Sequence, residues 1–455
     1  MFMKRITSYL MRCVAGNRSA GGIRKSYQNR YYKEFKKIEY LPQGEIEKIH
    51  RKRLYRVVSY AIENIPYYQD LGVSESDFHE ETIFEDIRRL PIITKQIIRE
   101  AGGRLHTRAK VCDWEYTNTS GGTTGEPVKM FQTGKFFDYD QAAKILFDEW
   151  GGRKPGESEI RLWGSERDII AGKADCANKI YRWCRNEEFL NTFRMDDKQI
   201  EEFIKRINKK NPKLILAYVQ SAKEIAWYAI HNGINITPPG ALMTSAGTLD
   251  DDTYRILKKA FGCEIFNRYG SRECGDMACS CKKNEGLHIN VNNCYIEILR
   301  DDGTPCEENE IGNVIVTTLN NYAMPLIRYN IGDRASYTNR RCSCGRNWPM
   351  LNAVNGRIVD VFKLPDGNRI DGEYFTHLFY ELNDVKQFQV RQDKIDHIVV
   401  RLVMFDSEKD VDETKNVIES GIYKAMGSDV KIDFEFVDNI PLLTSGKRAY
   451  TICDI

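Results

Sequence analysis

The sequence predicts an α/β protein: a large N-terminal domain of α/β layers carrying an antiparallel subdomain, then a small α+β C-terminal domain. Three observations predict it. Across residues 113–340, short β-branched or aromatic runs alternate with amphipathic helical stretches, the pattern of a layered α/β domain. Residues 287–299 and 312–319 then read as strands with no long helix between them, which implies antiparallel pairing. From Val361 onward, strand candidates bracket a single helix, as in a compact α+β unit.

Taken in chain order, residues 1–53 form a basic helical leader, 54–359 the large domain and 360–455 the small, mobile one. Residues 1–56 hold 15 Lys and Arg against 4 Asp and Glu, a local +11 that leaves −9 for the rest of a chain with net charge +2. Such a leader is either a solvated helical face or a contact to a partner or an anionic membrane surface. Leu54, Val57, Val58, Ala61, Ile62 and Ile65 follow helical spacing and stop before Pro66, so a core-facing helix ends there. Strands are expected at 160–163, 214–218, 234–237 and 263–267, with helices at 199–207 and 251–261. In the last domain, strands at 387–390, 397–404 and 431–437 surround a helix at 413–426.

With 455 residues, the chain is long enough for two or three domains at about 100–200 residues each. A net charge of +2 is no footprint for nucleic acid. A mean hydropathy of −0.51 and the lack of a long apolar run exclude a transmembrane helix. Thirteen cysteines, an odd count behind no secretory signal, point to a reducing cytoplasm, where clustered cysteines are metal ligands more often than disulfide partners.

The sharpest segment is Thr117-Asn118-Thr119-Ser120-Gly121-Gly122-Thr123-Thr124-Gly125-Glu126-Pro127. Its glycines let backbone amides approach an anion, and the hydroxyls of Ser120, Thr123 and Thr124 can donate to phosphate oxygens. A Walker loop would end Gly-Lys-Ser/Thr, so a P-loop NTPase is disfavoured. Seven histidines without a Ser/His/Asp order give no sign of a hydrolase triad.

Four more segments follow in order: Tyr269-Gly270-Ser271-Arg272-Glu273, Arg328-Tyr329-Asn330-Ile331-Gly332-Asp333, Gly356-Arg357-Ile358-Val359-Asp360 and Ser445-Gly446-Lys447-Arg448. Together with the first, they resemble the adenylate-forming superfamily of acyl-CoA synthetases, adenylation domains and luciferases. Leu162-Trp163-Gly164-Ser165, Pro325-Leu326-Ile327-Arg328-Tyr329 and Cys344-Gly345-Arg346 resemble its phenylacetate-CoA ligase and CapK-type capsule-biosynthesis branch. The likeness spans residues 54–447.

The resemblance implies that ATP and an organic acid give an acyl-adenylate and pyrophosphate, with coenzyme A as the expected acceptor. It places the β- and γ-phosphates at Ser120, Gly121, Gly122, Thr123, Thr124 and Gly125, and the adenine against Tyr269, Gly270, Ser271, Ala246 and Gly247. Glu273 would hold Mg²⁺, Asp333 the ribose hydroxyls and Arg357 ribose or phosphate oxygens. Lys447 would meet the carboxylate and α-phosphate during adenylation, and Asp360 would be the hinge about which the small domain turns. One departure stands out: the branch usually has an acidic residue where this chain has Gly247.

Cys274, Cys279, Cys281, Cys294, Cys342 and Cys344 cluster near these segments, with His288 seven residues after Cys281. Cys281, His288, Cys342 and Cys344 would complete a four-ligand structural zinc site, with Cys279 as the substitute. The competing reading is a set of small buried hydrophobes. Two other functions compete with the CoA ligase: an adenylating transferase acting on a sugar, amine or carrier protein, and a non-catalytic nucleotide-binding scaffold.

Overall fold

A computed structural model of the chain describes residues 18–19, 22–23, 27–111, 114–119, 128–163, 182–183, 185–192, 195–357, 361–364, 369–371, 374–375, 378–379, 382, 384–405, 411–441 and 449–455. The chain forms two compact units, Met1–Asn355 and Gly356–Ile455.

After a short antiparallel pairing of Arg18–Ser19 with Gly22–Ile23, the first unit carries helices α1 (Gln28–Ile38) and α2 (Gln43–Asn64). A domain boundary at residue 53 falls inside α2, and the leader is amphipathic: Phe35, Ile38 and Ile46 are buried in the core while Lys33, Lys36, Lys37, Lys48 and Lys52 are exposed. Leu54, Val57, Val58, Ala61 and Ile62 are buried as their spacing requires, and Ile65 turns extended before Pro66. A hairpin follows, β1 (Glu115–Thr119) and β2 (Lys129–Thr133), then the long helix α3 (Gly134–Trp150), capped by the Thr133 hydroxyl.

An 11-stranded sheet makes the centre. Its strands are β3 (Glu159–Trp163), β4 (Glu187–Asn191), β5 (Leu214–Tyr218), β6 (Ala241–Ser245), β7 (Glu264–Ser271), β8 (Gly275–Ser280), β9 (Leu287–Ile289), β10 (Cys294–Leu299), β11 (Gly312–Thr318), β12 (Tyr329–Thr338) and β13 (Met350–Arg357). Their spatial order is β10-β11-β12-β13-β9-β8-β7-β6-β5-β3-β4. Strands β3 to β7 are parallel, whereas β7/β8, β8/β9, β9/β13, β10/β11 and β11/β12 are antiparallel. The expected antiparallel subdomain therefore continues the α/β sheet.

The central parallel strands β5 and β6 are apolar on both faces, since helices cover both. Ile215, Ala217 and Leu242 pack against helices α4 (Asp197–Lys210), α5 (Val219–His231) and α6 (Asp251–Phe261). Their neighbours Leu214, Leu216, Ala241 and Met243 pack against α1 and α3 on the other side. Local chemistry sets the helix ends: Asp196 and Gln199 form a reciprocal capping box on α4, and Gly262, at φ +59, closes α6. Residues 234–237, expected as a strand, form none. They run into Pro238 and Pro239, which carry no N–H for a ladder, and pairing starts at Ala241.

Polar groups buried near the N-terminus find partners far along the chain. His50 Nε2 lies 3.0 Å from the Cys294 carbonyl, and the Tyr68 hydroxyl donates to the Pro325 carbonyl at 2.9 Å while accepting from the Ile327 amide at 3.1 Å. Burial pushes the His50 pKa down to about 4, so the ring is neutral at pH 7.

The second unit is a four-stranded sheet of β16 (Val385–Lys394), β17 (His397–Met404), β18 (Lys431–Phe436) and β19 (Thr451–Cys453), with a two-stranded ribbon of β14 (Val361–Lys363) and β15 (Arg369–Asp371). Helix α7 (Asp412–Met426) buries Ile418 and Ile422 with Val390, Ile398, Val400 and Leu402 in its own core. No helix among the described residues is long and apolar enough to cross a membrane.

Candidate functional site

The switch from parallel to antiparallel pairing falls on the turn between β7 and β8, where Tyr269, Gly270, Ser271 and Glu273 lie. Gly275 sits at φ +72, and the Ser271 hydroxyl accepts from the Cys274 amide at 3.0 Å, which closes the turn. Gly270 has no room for a side chain: a Cβ there would lie 2.8 Å from Asp276 Oδ1 and 2.9 Å from the Gly275 carbonyl. The Glu273 side chain is buried within this turn.

Gln132, on β2, binds the turn to the hairpin. Its Nε2 donates to the carbonyls of Arg272 (2.7 Å) and Glu273 (3.4 Å), and its Oε1 accepts from Asn118 Nδ2 at 3.1 Å. Asn321 holds the same hairpin, accepting from the Thr133 amide and donating to the carbonyls of Phe131 and Met324. The connection between β1 and β2 is the Gly-Gly-Thr-Thr loop. Its residues Ser120, Gly121, Gly122, Thr123, Thr124 and Gly125 lie outside the described residues, but both of its strands are anchored to the Glu273 turn.

Asp333 is brought to Tyr269 from another part of the sheet. The Tyr269 hydroxyl donates to Asp333 Oδ2 at 2.8 Å, and burial, then the Asp333 charge, push the phenol pKa well up, so it remains a donor. A carboxylate has about four acceptor positions, so one phenol bond is compatible with ribose hydroxyls on the same group. Two of the sequence segments, 64 residues apart, thus meet through one hydrogen bond.

Arg328 fixes the strand that carries Asp333. It is buried at φ +53, pairs with both oxygens of buried Glu297 (3.1 and 3.2 Å) and donates to the carbonyls of Leu90 (2.7 Å) and Arg88 (3.1 Å). Its backbone carbonyl accepts from the Ile93 amide, and the Asn330 amide donates back to Ile93.

Ala246 stands at φ +58, and Gly247 lies against α5. A Cβ at Gly247 would sit 3.0 Å from Val219 Cβ and 3.3 Å from its Cγ2, which gives the departure at this position a physical reason. An acidic side chain would require Val219 to move. Arg357 is placed only as the last residue of β13, and Asp360 and Lys447 lie outside the described residues.

The cysteine set converges elsewhere on the sheet. The ligand atoms of Cys281, His288, Cys342 and Cys344 all lie within 4.8 Å of one another. Cys281 Sγ is 3.5 Å from Cys342 Sγ, and Cys344 Sγ is 3.4 Å from His288 Nε2. Around zinc with sulfur at about 2.3 Å, tetrahedral ligands stand about 3.8 Å apart, so these four fit a closed structural site. Burial, the largest cause, opposes ionisation of Cys344 and Cys281, but His288, Cys342 and the backbone amides of Arg346 and Lys283 together outweigh it, drawing Cys344 to about 5 and Cys281 downward. Burial pushes Cys342 up. Cys279, the expected substitute, is buried instead among Leu146, Val291 and Trp348. The set is braced by Arg346, whose amide donates to Cys344 Sγ and whose guanidinium pairs with buried Glu39 at 2.7 Å.

The model of the CapK C-terminal domain matches residues 362–454. Protein CapK of Staphylococcus aureus is 26% identical over 453 residues, 95% of this chain and 94% of that protein. The phenylacetate-coenzyme A ligase of Thermus thermophilus is 24% identical over 346 residues, 71% and 73% of the two chains. Among solved structures, 2-hydroxyisobutyryl-CoA ligase, in its postadenylation state with an acyl-AMP, superimposes with a TM-score of 0.72 at 17% identity, covering 92% of each chain. That likeness establishes the adenylate-forming fold.

Proposed function

Because the chain belongs to the CapK-like and phenylacetate-CoA ligase branch of the adenylate-forming superfamily, we propose that it activates an organic carboxylic acid with ATP and passes the acyl group to coenzyme A. The observation that carries this is the Tyr269–Asp333 hydrogen bond beside the Glu273 turn, which brings together, from two separate stretches of chain, the residues that this reading assigns to base, ribose and metal. A carboxylate oxygen attacks the α-phosphorus, the bond to the β-phosphate oxygen breaks, and pyrophosphate leaves. The acyl carbon then accepts the coenzyme A thiolate, and AMP departs. Here Asp333 orients the ribose, Tyr269 backs the adenine, and the amides and hydroxyls of the Gly-Gly-Thr-Thr loop hold the leaving phosphates. Glu273 is the residue to hold Mg²⁺, which would offset phosphate charge. The test is carboxylate-dependent pyrophosphate exchange across a panel of acids, with coenzyme A then added to the responsive acid. No exchange with any acid would leave the scaffold reading in its place.

A second reading is transfer to a sugar, amine or carrier protein, the acceptors that the resemblance to CapK-type capsule-biosynthesis proteins implies. It keeps the first half-reaction and changes the acceptor. Thioester formation with the responsive acid decides between the two.

The loop assignment carries its own expectation. Thr123→Ala with Thr124→Ala removes donors to the leaving phosphates, and loss of one such donor costs about 2 to 4 kcal/mol of transition-state stabilisation. Pyrophosphate exchange at the parental rate in the double variant would refute the assignment.

For the cysteine set, we expect about one tightly held zinc per chain and a lower melting temperature after chelation. A four-ligand site leaves no position open for substrate, so activity should fall only where folding does. Metal analysis of protein purified without chelator checks the stoichiometry.

A further inference from the structure

The β-register brings side chains from four strands into one row at the carboxyl ends of the parallel strands. Tyr218 of β5 pairs with Ser245 of β6, and Ser245 with Arg268 of β7. Trp163, the last residue of β3, packs on Tyr218 with ring centres 4.0 Å apart, and Arg268 Cζ lies 5.9 Å from the centre of the Trp163 ring. Open α/β sheets take their ligands at the carboxyl ends of their strands. Arg268 directly precedes Tyr269, so the two side chains leave β7 on opposite faces, and Arg268 shares the α3 side with Phe266.

On that side Arg268 meets Asp276 of β8. The two are 6% and 4% exposed. A bulge shifts the β7/β8 register between Asp276 and Ala278, the kind of irregularity that re-aims a side chain. The Asp276 amide donates to Asp140 Oδ1 of α3 at 3.0 Å, and Asp140 Oδ2 accepts from Lys144 at 2.6 Å. Neighbouring buried pairs close into hydrogen bonds: Arg153 donates to Asp148 and Arg161 to Glu159, each at 2.7 Å. The Arg268–Asp276 pair does not, because Nε and Oδ1 stand 3.6 Å apart. Arg268 Nε and Asp276 Oδ2 are buried with no hydrogen-bond partner among the described residues. Burying charged groups in this way is costly unless something satisfies them.

We propose that this pair reads a hydroxyl group on the acyl chain, so that the acid is a hydroxy acid. The inference rests on the ligase reading above and names its substrate class. A hydroxyl oxygen both donates and accepts, so it takes a hydrogen bond from the guanidinium while giving its own to the carboxylate. The pair is neutral as a whole. A second carboxylate on the acid would meet Asp276, and an ammonium would meet Arg268, so a charged group is disfavoured there. Trp163 and Tyr218 supply an apolar wall for the carbon skeleton.

The test is pyrophosphate exchange by the full-length protein with matched acids: para-hydroxyphenylacetate against phenylacetate, lactate against propionate, and β-hydroxybutyrate against butyrate. The best hydroxy acid should exceed its parent in kcat/KM by about a hundredfold or more, since a site built for a hydroxyl rejects the analogue that leaves its polar groups unpaired. Arg268→Met with Asp276→Asn removes both charges together, leaving neither buried alone, and should bring that ratio close to one. A wild-type enzyme that uses a parent acid as well as its hydroxy acid, or a double variant that keeps the wild-type preference, overturns the proposal and leaves the ligase reading standing. The wild-type comparison needs no variant, so it decides even where the double variant does not fold. Equilibrium titration with the same acids, without ATP, covers a protein that shows no exchange. Affinity that depends on the hydroxyl and is lost in the double variant then upholds the site while the ligase reading falls, and affinity indifferent to the hydroxyl overturns the site as well.

Discussion

Replacing Lys447 by alanine is expected to stop acyl-adenylate formation while leaving the second half-reaction intact. An ammonium beside the α-phosphate stabilises the negative charge that builds as the carboxylate attacks, and such a contact acts in the transition state rather than in the ground state. Its loss should lower kcat of adenylation by about 100- to 1000-fold, the usual cost of one electrostatic contact at a reacting centre. Once pyrophosphate has left, that charge no longer builds. A chemically supplied acyl-adenylate should therefore be converted to the thioester at close to the wild-type rate. Separate assays of the two half-reactions give the result, and equal losses in both, in a folded variant, would make Lys447 a structural contact and remove support for a small domain that turns about Asp360.

Arg328→Ala should be the most destabilising single change at the candidate site. It strips the buried Glu297 carboxylate of a bidentate partner and leaves two backbone carbonyls, those of Arg88 and Leu90, without a donor. Breaking a buried pair from one side costs about 3 to 5 kcal/mol. Burial already raises the Glu297 pKa, with Arg328 opposing it. Without Arg328 the carboxyl pKa rises further above its unfolded value. The penalty is then fully present above the folded pKa and shrinks as pH falls through it, because protonation removes the unpaired charge. Urea unfolding at pH 7 and pH 5 measures both effects, and a deficit unchanged by pH would show that Glu297 is not its source. Glu297→Leu added to the variant should recover part of the loss.

The residues most legible in the sequence are those whose chemistry requires a particular type at a fixed local spacing. Tyr269, Gly270 and Glu273 stand in one short turn, and the Gly270 packing shows why a larger residue is excluded there. Helix α6 was equally readable, since Asp250 and Gly262 mark its two ends. Gln132, Asn321 and Arg328 as a clamp were not. A glutamine on a strand has no local signature, and its partners at Arg272 and Glu273 lie about 140 residues away in the chain. The leader was legible in charge but not in burial, because three apolar residues, Phe35, Ile38 and Ile46, are few enough to hide among lysines and arginines. The cysteine ligands were readable as a set. That Cys279 would be drawn into the core against Trp348 depends on packing that no spacing rule encodes.

The distance in sequence between Tyr68 and Pro325, 257 positions, also sets a timetable. A ribosome adds about 5 to 20 residues per second, so the N-terminal helices emerge tens of seconds before the strands that satisfy His50, Tyr68 and the carbonyls of Arg88 and Leu90. Through that interval their apolar faces have no permanent cover. Synthesis speed and chaperone capacity, as well as the stability of the finished fold, should therefore govern how much active protein a cell obtains.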